Sequence, residues 1–295
     1  MHPILFHIGT FRLPTYGTLL VTAILAAVYT VMRLGRREGL DAGRLLDLST
    51  WVLIVALVGA KVLMVISDWS DYGSLSRIFS MDTLMAGGVF YGGFLAAVFF
   101  AVWYIRAHGM SFWKVADVFS PAIALGQSIG RWGCFAGGCD YGKPTQSWLG
   151  VVFTNPYAHE IAGVPLGVRL YPTQLLESLA TLTIFGMLLW RYRKKSEDGE
   201  IFVLYLGLYA IARFFLEFLR GDEDRGFVFN HLLSTSQFIG ILALLTAVGL
   251  AIYRRRHPSE VPARAGKALN ARRKPKAEAE IAVPATASNA KRARH

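Results

Sequence analysis

Charged residues and cysteines are both scarce in this chain of 295 residues. Only 17% of the residues are charged, against about 25% in soluble domains, and the mean hydropathy is +0.40. Two cysteines are too few to hold a chain of this length together as a disulfide scaffold. The first residues also lack the basic start and the cleavage site of a secretory signal. These absences exclude a typical cytosolic domain and a disulfide-rich secreted protein.

The chain has instead a series of apolar runs, each about as long as a helix that crosses a bilayer. Seven transmembrane helices are predicted, at 15–33, 46–66, 88–105, 113–130, 172–190, 201–219 and 232–253. The expected fold is therefore an all-α membrane protein with a transmembrane domain over residues 1–253. Residues 254–295 are rich in Ala, Pro, Lys and Arg, and a basic, disordered cytoplasmic tail is predicted there.

Lysine and arginine are distributed unevenly between the two ends of the predicted helices. One side receives 22 of the 31 basic residues, and the other side receives seven. Because basic residues accumulate in cytoplasmic loops, the N-terminus is predicted outside and the C-terminus in the cytoplasm. Twelve of the 31 follow Tyr253, a distribution that favours contact with anionic lipid and argues against nucleic acid as a partner.

Polar side chains within the predicted helices fall almost entirely in the outer half of the bilayer. They are Tyr16, Lys61, Tyr91, Gln127, Arg131, Gln174, Glu177, Arg213 and Glu217, with Asp117 near the inner end as the exception. Ionisable groups inside a membrane usually face the interior of the helix bundle and mark a site.

Extension of long side chains to the membrane surface is the alternative explanation for such groups. It suits Lys61 and Arg220, but Arg213 is about 9 Å below the end of its helix. The spacing of Arg213, Glu217 and Arg220 predicts one stripe on one helical face, with Arg213 and Glu217 paired in a functional site.

A glycine-rich segment at 130–142 follows the fourth predicted helix and contains five glycines. Glycine lets backbone amides approach a ligand closely. Arg131 at the head of the segment presents a forked set of donors that matches a phosphate. A second glycine cluster at 87–93 is predicted at the same depth, where helix packing explains it equally well.

The two cysteines of this segment, Cys134 and Cys139, are five residues apart. This spacing fits neither a zinc site nor a Cys-x-x-Cys redox motif. A structural disulfide or a pair of inert thiols is favoured over a catalytic cysteine. The sequence suggests no set of metal ligands, and neither a metal nor an organic cofactor is expected.

Four motifs resemble, in order, those of the bacterial phosphatidylglycerol–prolipoprotein diacylglyceryl transferases, which are seven-helix enzymes with the N-terminus outside. The motifs are Tyr16-Gly17, the segment Gly130–Gly142 with its phospholipid-binding arginine at Arg131, Tyr171-Pro172-Thr173-Gln174-Leu175-Leu176-Glu177, and the segment Arg213–Arg220. The resemblance runs from about Phe6 to Tyr253. It implies transfer of the diacylglyceryl group of phosphatidylglycerol to the lipobox cysteine of a prolipoprotein, which forms a thioether and releases glycerol 1-phosphate.

The resemblance also implies roles for individual residues. The implied catalytic residues are Tyr16, Tyr91, Arg213 and Glu217, and the implied substrate-binding residues are Arg131, Gly133, Gly142, Gln174 and Arg220. The implied partners are phosphatidylglycerol, prolipoprotein signal peptides with a lipobox cysteine, and membrane lipids. The implied location is the bacterial cytoplasmic membrane, with the site toward the outer leaflet.

The chain departs from the family pattern at several positions, which indicates a divergent branch. Tyr91 and Tyr171 stand where the family usually has histidine, and Cys134, Gly137 and Cys139 replace two asparagines and a glutamate. The acceptor of the thiol proton therefore stays open among Tyr91, Asp140 and Glu217.

Two alternative functions are also considered. One is a carrier or channel for an anionic lipid or solute that uses the same arginines, although no internal repeat supports it. The other is a paralogue that handles lipid without selecting a lipobox.

Overall fold

The computed structural model describes residues 3–8, 11–72, 80, 88–221, 226–228 and 232–256. In these residues the chain is mainly helical. The helices are α1 (Thr15–Arg37), α2 (Ala42–Ser67), α3 (Trp69–Tyr72), α4 (Phe90–Ala107), α5 (Phe112–Gly137), α6 (Pro156–Ala162), α7 (Thr173–Tyr192), α8 (Glu200–Leu216) and α9 (Thr235–Arg256). A 3-10 turn, Glu217–Leu219, continues α8.

Three small antiparallel strand pairs connect these helices. They are β1 (Ile4–Ile8) with β2 (Phe11–Pro14), β3 (Val151–Val152) with β4 (Arg169–Leu170), and β5 (Phe227–Val228) with β6 (Leu233–Ser234). In the second pair Val151 lies opposite Leu170, and in the third Phe227 lies opposite Ser234. The strands are too short to form a core of their own, so helix packing carries the fold.

Six helices of the described chain are long and apolar enough to cross a membrane, namely α1, α2, α4, α7, α8 with its 3-10 turn, and α9. The chain is thus a multi-pass membrane protein. The remaining predicted span corresponds to α5, which has 26 residues but is less apolar because it carries Lys114, Asp117, Gln127 and Arg131. Arg77, Gly87, Arg225 and residues 257–295, which include most of the predicted tail, lie outside the described residues.

The predicted end of the fourth helix at residue 130 is wrong, because α5 continues through the first part of the glycine-rich segment to Gly137. The helix ends at Gly138, whose φ of 84° is left-handed and whose N–H donates to the carbonyl of Cys134. A residue without a Cβ adopts this conformation without strain, so the glycine terminates the helix. Only the second half of the segment is a loop.

The predicted stripe of Arg213, Glu217 and Arg220 also needs correction. Helix α8 ends at Leu216, and Arg220 follows the 3-10 turn in an extended conformation. Arg213 and Glu217 still form an ion pair one turn apart, but Arg220 does not extend their helical face.

Helix α5 lies at the centre of the main core. Buried side chains from α1, α5, α7 and α8 meet there, among them Leu34, Val118, Leu188 and Ile201. Fully burying an aliphatic side chain of this size typically stabilises a fold by about 1.5–3 kcal/mol. A second core, formed by Leu48, Tyr104, Ile105 and Val115, attaches α2 and α4 to the start of α5.

The glycines that begin α4 serve helix packing. A Cβ added at Gly92 would lie 2.4 Å from the carbonyl oxygen of Gly59 on α2, and one at Gly93 would lie 2.7 Å from that of Ala56. Small residues let two membrane helices approach this closely. Of the two explanations for this cluster, packing therefore accounts for its described glycines.

The segments predicted on the basic side meet at one end of the bundle. Lys195, between α7 and α8, contacts Glu38, after α1, and Asp117, in the first turns of α5. The guanidinium of Arg44, at the start of α2, donates to the carbonyl of His108, after α4. These contacts bring together helix ends that the sequence assigns to the same side of the membrane.

Candidate functional site

Arg131 lies two turns before the end of α5, at the opposite end of the bundle from Lys195. Its two terminal nitrogens contact two different carboxylates: Nη1 is 2.6 Å from Oδ2 of Asp140, and Nη2 is 3.0 Å from Oε1 of Glu177. The side chain is 20% exposed. The contact with Asp140 is a charge-assisted hydrogen bond, which is among the strongest in proteins, and the contact with Glu177 is an ion pair. The guanidinium is therefore held between two carboxylates.

Glu177, in the first turns of α7, links Arg131 to Arg213 on α8. Its second oxygen lies 3.9 Å from Nη1 of Arg213. Nη2 of Arg213 is 3.0 Å from Oε2 of Glu217 and donates to the hydroxyl of Ser236 on α9 at 3.2 Å. The predicted pairing of Arg213 with Glu217 is confirmed, and four helices contribute to one charged cluster.

Arg220 belongs to the same cluster. Its Nη2 lies 2.6 Å from Oδ1 of Asp140, whose other oxygen contacts Arg131, and the Arg220 side chain is only 13% exposed. The expectation that Arg220 extends to the membrane surface is therefore wrong, because the chain leaves the helix before this residue and turns it back toward Asp140. We call Arg131, Asp140, Glu177, Arg213, Glu217 and Arg220 the arginine cluster.

Asp140 contacts two of the three guanidiniums of the arginine cluster, and its backbone conformation is unusual. Its φ is 54°, in the left-handed region that non-glycine residues seldom adopt. Burial alone would raise the pKa of this carboxyl, but Arg131 and Arg220 lower it, and the pKa lies below its ordinary value. Asp140 is thus a firmly ionised bridge between the two arginines.

Backbone contacts hold the loop after Asp140 against α7 and α8. The N–H of Gly142 donates to the carbonyl of Tyr171 at 3.1 Å, and the N–H of Lys143 donates to that of Leu219 at 2.8 Å. A Cβ on Gly142 would lie 2.4 Å from the Tyr171 oxygen. Gly142 therefore allows the close backbone approach that brings Arg220 to Asp140.

Gln174 is 1% exposed and positions the turn that carries the cysteines. Its Nε2 donates to the carbonyl of Cys139 at 2.7 Å, while the hydroxyl of Thr173 donates to that of Asp140 at 2.6 Å. Oε1 of Gln174 and Nη1 of Arg213 are buried atoms with no hydrogen-bond partner in the described part of the chain. Buried polar atoms are rarely left in this state, so both are suited to the polar groups of a ligand.

Of the two predicted catalytic tyrosines, Tyr16 lies beside the helix that carries Arg131, whereas Tyr91 makes no contact with the cluster among the described residues. A Cβ on Gly133 would lie 3.0 Å from the Tyr16 ring, so Gly133 lets α1 pack closely against α5 beside Arg131. Tyr91, at the start of α4, is 40% exposed, and its ring packs edge-on against Phe90. Among the described residues it makes no polar contact with the arginines.

Sequence reasoning missed the bridging roles of Asp140 and Glu177. The sequence places Glu177 among the polar groups of the outer half and leaves Asp140 open as a proton acceptor, but it predicts neither residue as a bridge between arginines. The available signal was charge balance, because three arginines buried at one depth require carboxylates nearby. Gln127 is among the polar residues that the sequence predicts in the outer half, but its partner Tyr205 is not predicted. The Tyr205 hydroxyl donates to Oε1 of Gln127 at 3.1 Å.

Six apolar helices and a buried cluster of arginines and carboxylates define a multi-pass membrane protein with an internal charged site. Comparison with known proteins then identifies the family. The family model described as prolipoprotein diacylglyceryl transferase matches residues 3–253. The chain belongs to this family, which is a family of transferases.

Several curated relatives carry the name phosphatidylglycerol–prolipoprotein diacylglyceryl transferase. The Clostridium tetani protein is 33% identical over 249 residues, which cover 84% of this chain and 96% of the relative. The Finegoldia magna protein is 34% identical over 253 residues, covering 85% and 95%. The Listeria innocua protein is 30% identical over 257 residues, covering 86% and 90%. The family predicted from the four motifs is confirmed.

Proposed function

We propose that this chain transfers the diacylglyceryl group of phosphatidylglycerol to the lipobox cysteine of a prolipoprotein, and that the arginine cluster binds the lipid phosphate. The observation that carries the proposal is the buried Nη1 of Arg213, a charged donor without a hydrogen-bond partner among the described residues. Two further guanidiniums lie in the same cluster. A phosphate accepts several such donors at once, which matches the forked geometry of arginine.

The reaction requires a thiolate, stabilisation of a leaving group and alignment of two membrane-held substrates. The cysteine sulfur attacks the glycerol carbon, a carbon–sulfur bond forms, and the carbon–oxygen bond to the phosphate breaks. Glycerol 1-phosphate departs with the negative charge, which Arg131 and Arg213 stabilise. Gln174 offers Oε1 as an acceptor for a hydroxyl of the headgroup.

Glu217 is the proposed acceptor of the thiol proton. A free thiol has a pKa of about 8.5, so a base is needed at neutral pH. Both oxygens of Asp140 are bound by arginines and its pKa is lowered, which makes it a poor base. Tyr91 makes no contact with the cluster among the described residues. Glu217 is 2% exposed and touches the same guanidinium as the proposed leaving group.

We further propose seven spans in the bacterial cytoplasmic membrane, with the N-terminus outside, the arginine cluster toward the outer leaflet, and residues 254–295 as a cytoplasmic tail. At 26 residues, α5 is about 39 Å long and sufficient to cross the bilayer. Its polar residues Asp117, Gln127 and Arg131 contact other parts of the protein. A topology reporter fused after Tyr253 is expected to be active only in the cytoplasm, and one fused within 143–169 only outside. The opposite pattern would overturn this orientation.

The test of function is transfer of labelled diacylglycerol from phosphatidylglycerol to a lipobox peptide by the purified chain. A peptide with serine in place of the lipobox cysteine and a phosphatidylcholine donor are the controls, and both are expected to give no product. Complementation of a strain depleted of its own transferase is the matching test in cells. Binding of phosphatidylglycerol without transfer in either test would favour the carrier alternative.

A further inference from the structure

Cys134 and Cys139 are held together by the turn that ends α5. The chain reverses at Gly138, whose N–H donates to the carbonyl of Cys134 at 2.8 Å, and the thiol of Cys139 donates to the same carbonyl at 3.6 Å. Both sulfur atoms and a carboxylate oxygen of Asp140 lie within 4.8 Å of one another. Both thiols are free and both residues are half-buried. A disulfide places its two sulfurs about 2.05 Å apart, so its formation draws together two sulfurs that are already neighbours.

A metal ion is the competing occupant of this group of atoms, and its surroundings disfavour it. Both oxygens of Asp140 already contact guanidiniums at 2.6 Å. Nη1 of Arg131 also lies 3.8 Å from the sulfur of Cys134. A cation bound here would stand beside two positive charges at short range, which costs free energy in a partly buried site. A disulfide is neutral and leaves these ion pairs intact.

We infer that Cys134 and Cys139 form a reversible disulfide that fixes the turn carrying Asp140. Formation breaks two S–H bonds and makes one S–S bond. The two electrons and two protons pass by thiol–disulfide exchange to an external disulfide, which is reduced to two thiols. The chain contains two cysteines in total, so neither has another partner within the chain.

The disulfide would act on the arginine cluster through Asp140. Cys139 directly precedes Asp140, and the carbonyls of both residues are hydrogen-bonded to the start of α7. Tying Cys139 to α5 therefore restrains the carboxylate that bridges Arg131 and Arg220. This consequence rests on the proposed function of the cluster, whereas formation of the bond does not.

The bond is tested by counting thiols in the full chain, purified in detergent and equilibrated in buffers of graded reduced and oxidised glutathione. Samples are quenched with acid, alkylated with N-ethylmaleimide and weighed intact. Both thiols are expected to disappear together, with loss of two hydrogen masses and no retained glutathione. C134S and C139S are the matched controls, and each is expected to keep one alkylatable thiol or one glutathione. Thiols that stay alkylatable in excess oxidised glutathione would overturn the inference.

The same alkylation measurement also tests for a metal site. If the two thiols bind a metal ion, zinc ions added to the reduced chain will protect both thiols from alkylation, and Asp140→Asn will remove the protection. That result would overturn the redox pair. The inference predicts instead that zinc leaves the alkylation rate unchanged.

The link to the arginine cluster is tested by transfer kinetics in the two redox states. Reduction is expected to raise the KM for phosphatidylglycerol several-fold with little change in kcat. It would release the turn that positions the lipid-binding arginines and leave the chemical step unchanged. The double variant C134S/C139S is expected to show the KM of the reduced chain in both buffers. Equal KM values in the two states would overturn this link. The thiol count needs no transfer activity, so its outcome is independent of the proposed function.

Discussion

Two buried clusters of charged side chains lie at opposite ends of α5, and they differ in how completely their polar atoms are used. The first is the arginine cluster. The second, which we call the lysine cluster, consists of Glu38, Asp117, Lys195 and Asp198. Lys195 and Asp117 are almost fully buried there. Burial of charge is therefore common to both ends, and it does not by itself distinguish a binding site from a structural contact.

The lysine cluster is satisfied by its own members. Lys195 has three donors, and its Nζ lies 2.9 Å from Glu38, 2.9 Å from Asp117 and 3.1 Å from Asp198. Both oxygens of Asp117 accept backbone N–H groups at the start of α8, from Gly199 at 2.6 Å and from Phe202 at 2.9 Å. The lysine cluster therefore joins α1, α5, α7 and α8, and all three donors of Lys195 are used within it, so none is left for a ligand.

The arginine cluster has spare hydrogen-bonding capacity. Arg213 keeps a buried Nη1 without a hydrogen-bond partner among the described residues, and Gln174 keeps Oε1 in the same condition. The difference supports the proposal that the lysine cluster stabilises the fold and that the arginine cluster binds a ligand.

The largest expected effect is a loss of stability at the lysine cluster. Asp117→Ala leaves Lys195 buried with one partner fewer and two backbone N–H groups without an acceptor. Removing one member of a buried ion pair typically costs about 3–5 kcal/mol. Thermal unfolding in detergent is expected to show a much lower midpoint, while transfer per folded molecule stays close to normal. Asp47→Ala, which removes an exposed aspartate of α2, is the control. A normal midpoint for Asp117→Ala would contradict a structural role.

The next effect is on catalysis at the arginine cluster. Arg131→Lys and Arg213→Lys keep the charge but lose the planar fork. Loss of one electrostatic contact to a leaving group typically costs about 3 kcal/mol, or on the order of a hundredfold in rate. Transfer to a lipobox peptide measures the effect. Arg191→Lys, which alters an arginine paired with Glu200 near the lysine cluster, is expected to change the rate little. Near-normal rates for both Arg131→Lys and Arg213→Lys would contradict the assignment of these arginines to the leaving group.

A smaller effect is expected at Arg220, where sequence and structure disagree. An arginine that extends to the membrane surface would matter little, but this one donates to Asp140 at 2.6 Å. A hydrogen bond between charged groups contributes about 1.5–3 kcal/mol, so Arg220→Ala is expected to lower the transfer rate about tenfold. Arg169→Ala, an exposed arginine at the same end, provides the comparison. Equal rates for the two variants would support the surface interpretation.

The smallest effects are two opposite dependences of stability on pH, one for Asp140 and one for Lys195. The pKa of Asp140 is lowered, so its contribution to stability is present above the unfolded value of about 3.9 and is lost as the pH falls through the lower folded value. Burial alone would lower the pKa of Lys195, but Asp117 and Glu38 raise it above its ordinary value. The contribution of Lys195 is thus present below about pH 10.4 and is lost as the pH rises through the folded value.

These dependences are measured as differences in unfolding midpoint from the wild type. The difference for Asp140→Asn is expected to shrink on strong acidification. The difference for Lys195→Gln is expected to shrink in strong base, where Lys195 is neutralised, and also in strong acid, where its carboxylate partners are protonated. A Lys195→Gln difference that stayed constant up to strong base would show that the lysine cluster is not held by its ionised lysine.

Apolar periodicity and charge asymmetry predict the helices well, because a span of about 20 residues must be apolar wherever it meets lipid. The same signal fails at helix ends. Gly130 and Gly133 suggest an early end to α5, but the helix stops only where Gly138 adopts a left-handed conformation. Hydropathy also leaves α5 out of the six helices that are apolar enough to cross a membrane. Asp117, Gln127 and Arg131 lower its hydropathy, although each of them contacts another part of the protein.

The site is predictable in its residues and less so in its geometry. Arg131 and Arg213 are found from motif and depth, and their meeting through Glu177 requires the three-dimensional packing of α5, α7 and α8. The return of Arg220 to Asp140 depends on backbone contacts at Gly142, which no side-chain pattern reveals. The role of Tyr91 stays a prediction, since a motif position does not by itself establish contact with the cluster.

The most direct test of the central claim is retention of phosphatidylglycerol by the purified chain, measured against phosphatidylcholine by native mass spectrometry. The wild type and Lys195→Arg are expected to retain phosphatidylglycerol preferentially, because the lysine cluster has no donor for it. The double variant R131A/R213A is expected to lose this preference while remaining folded. A folded double variant that still prefers phosphatidylglycerol, or a loss of preference in folded Lys195→Arg, would contradict the assignment of the lipid phosphate to the arginine cluster.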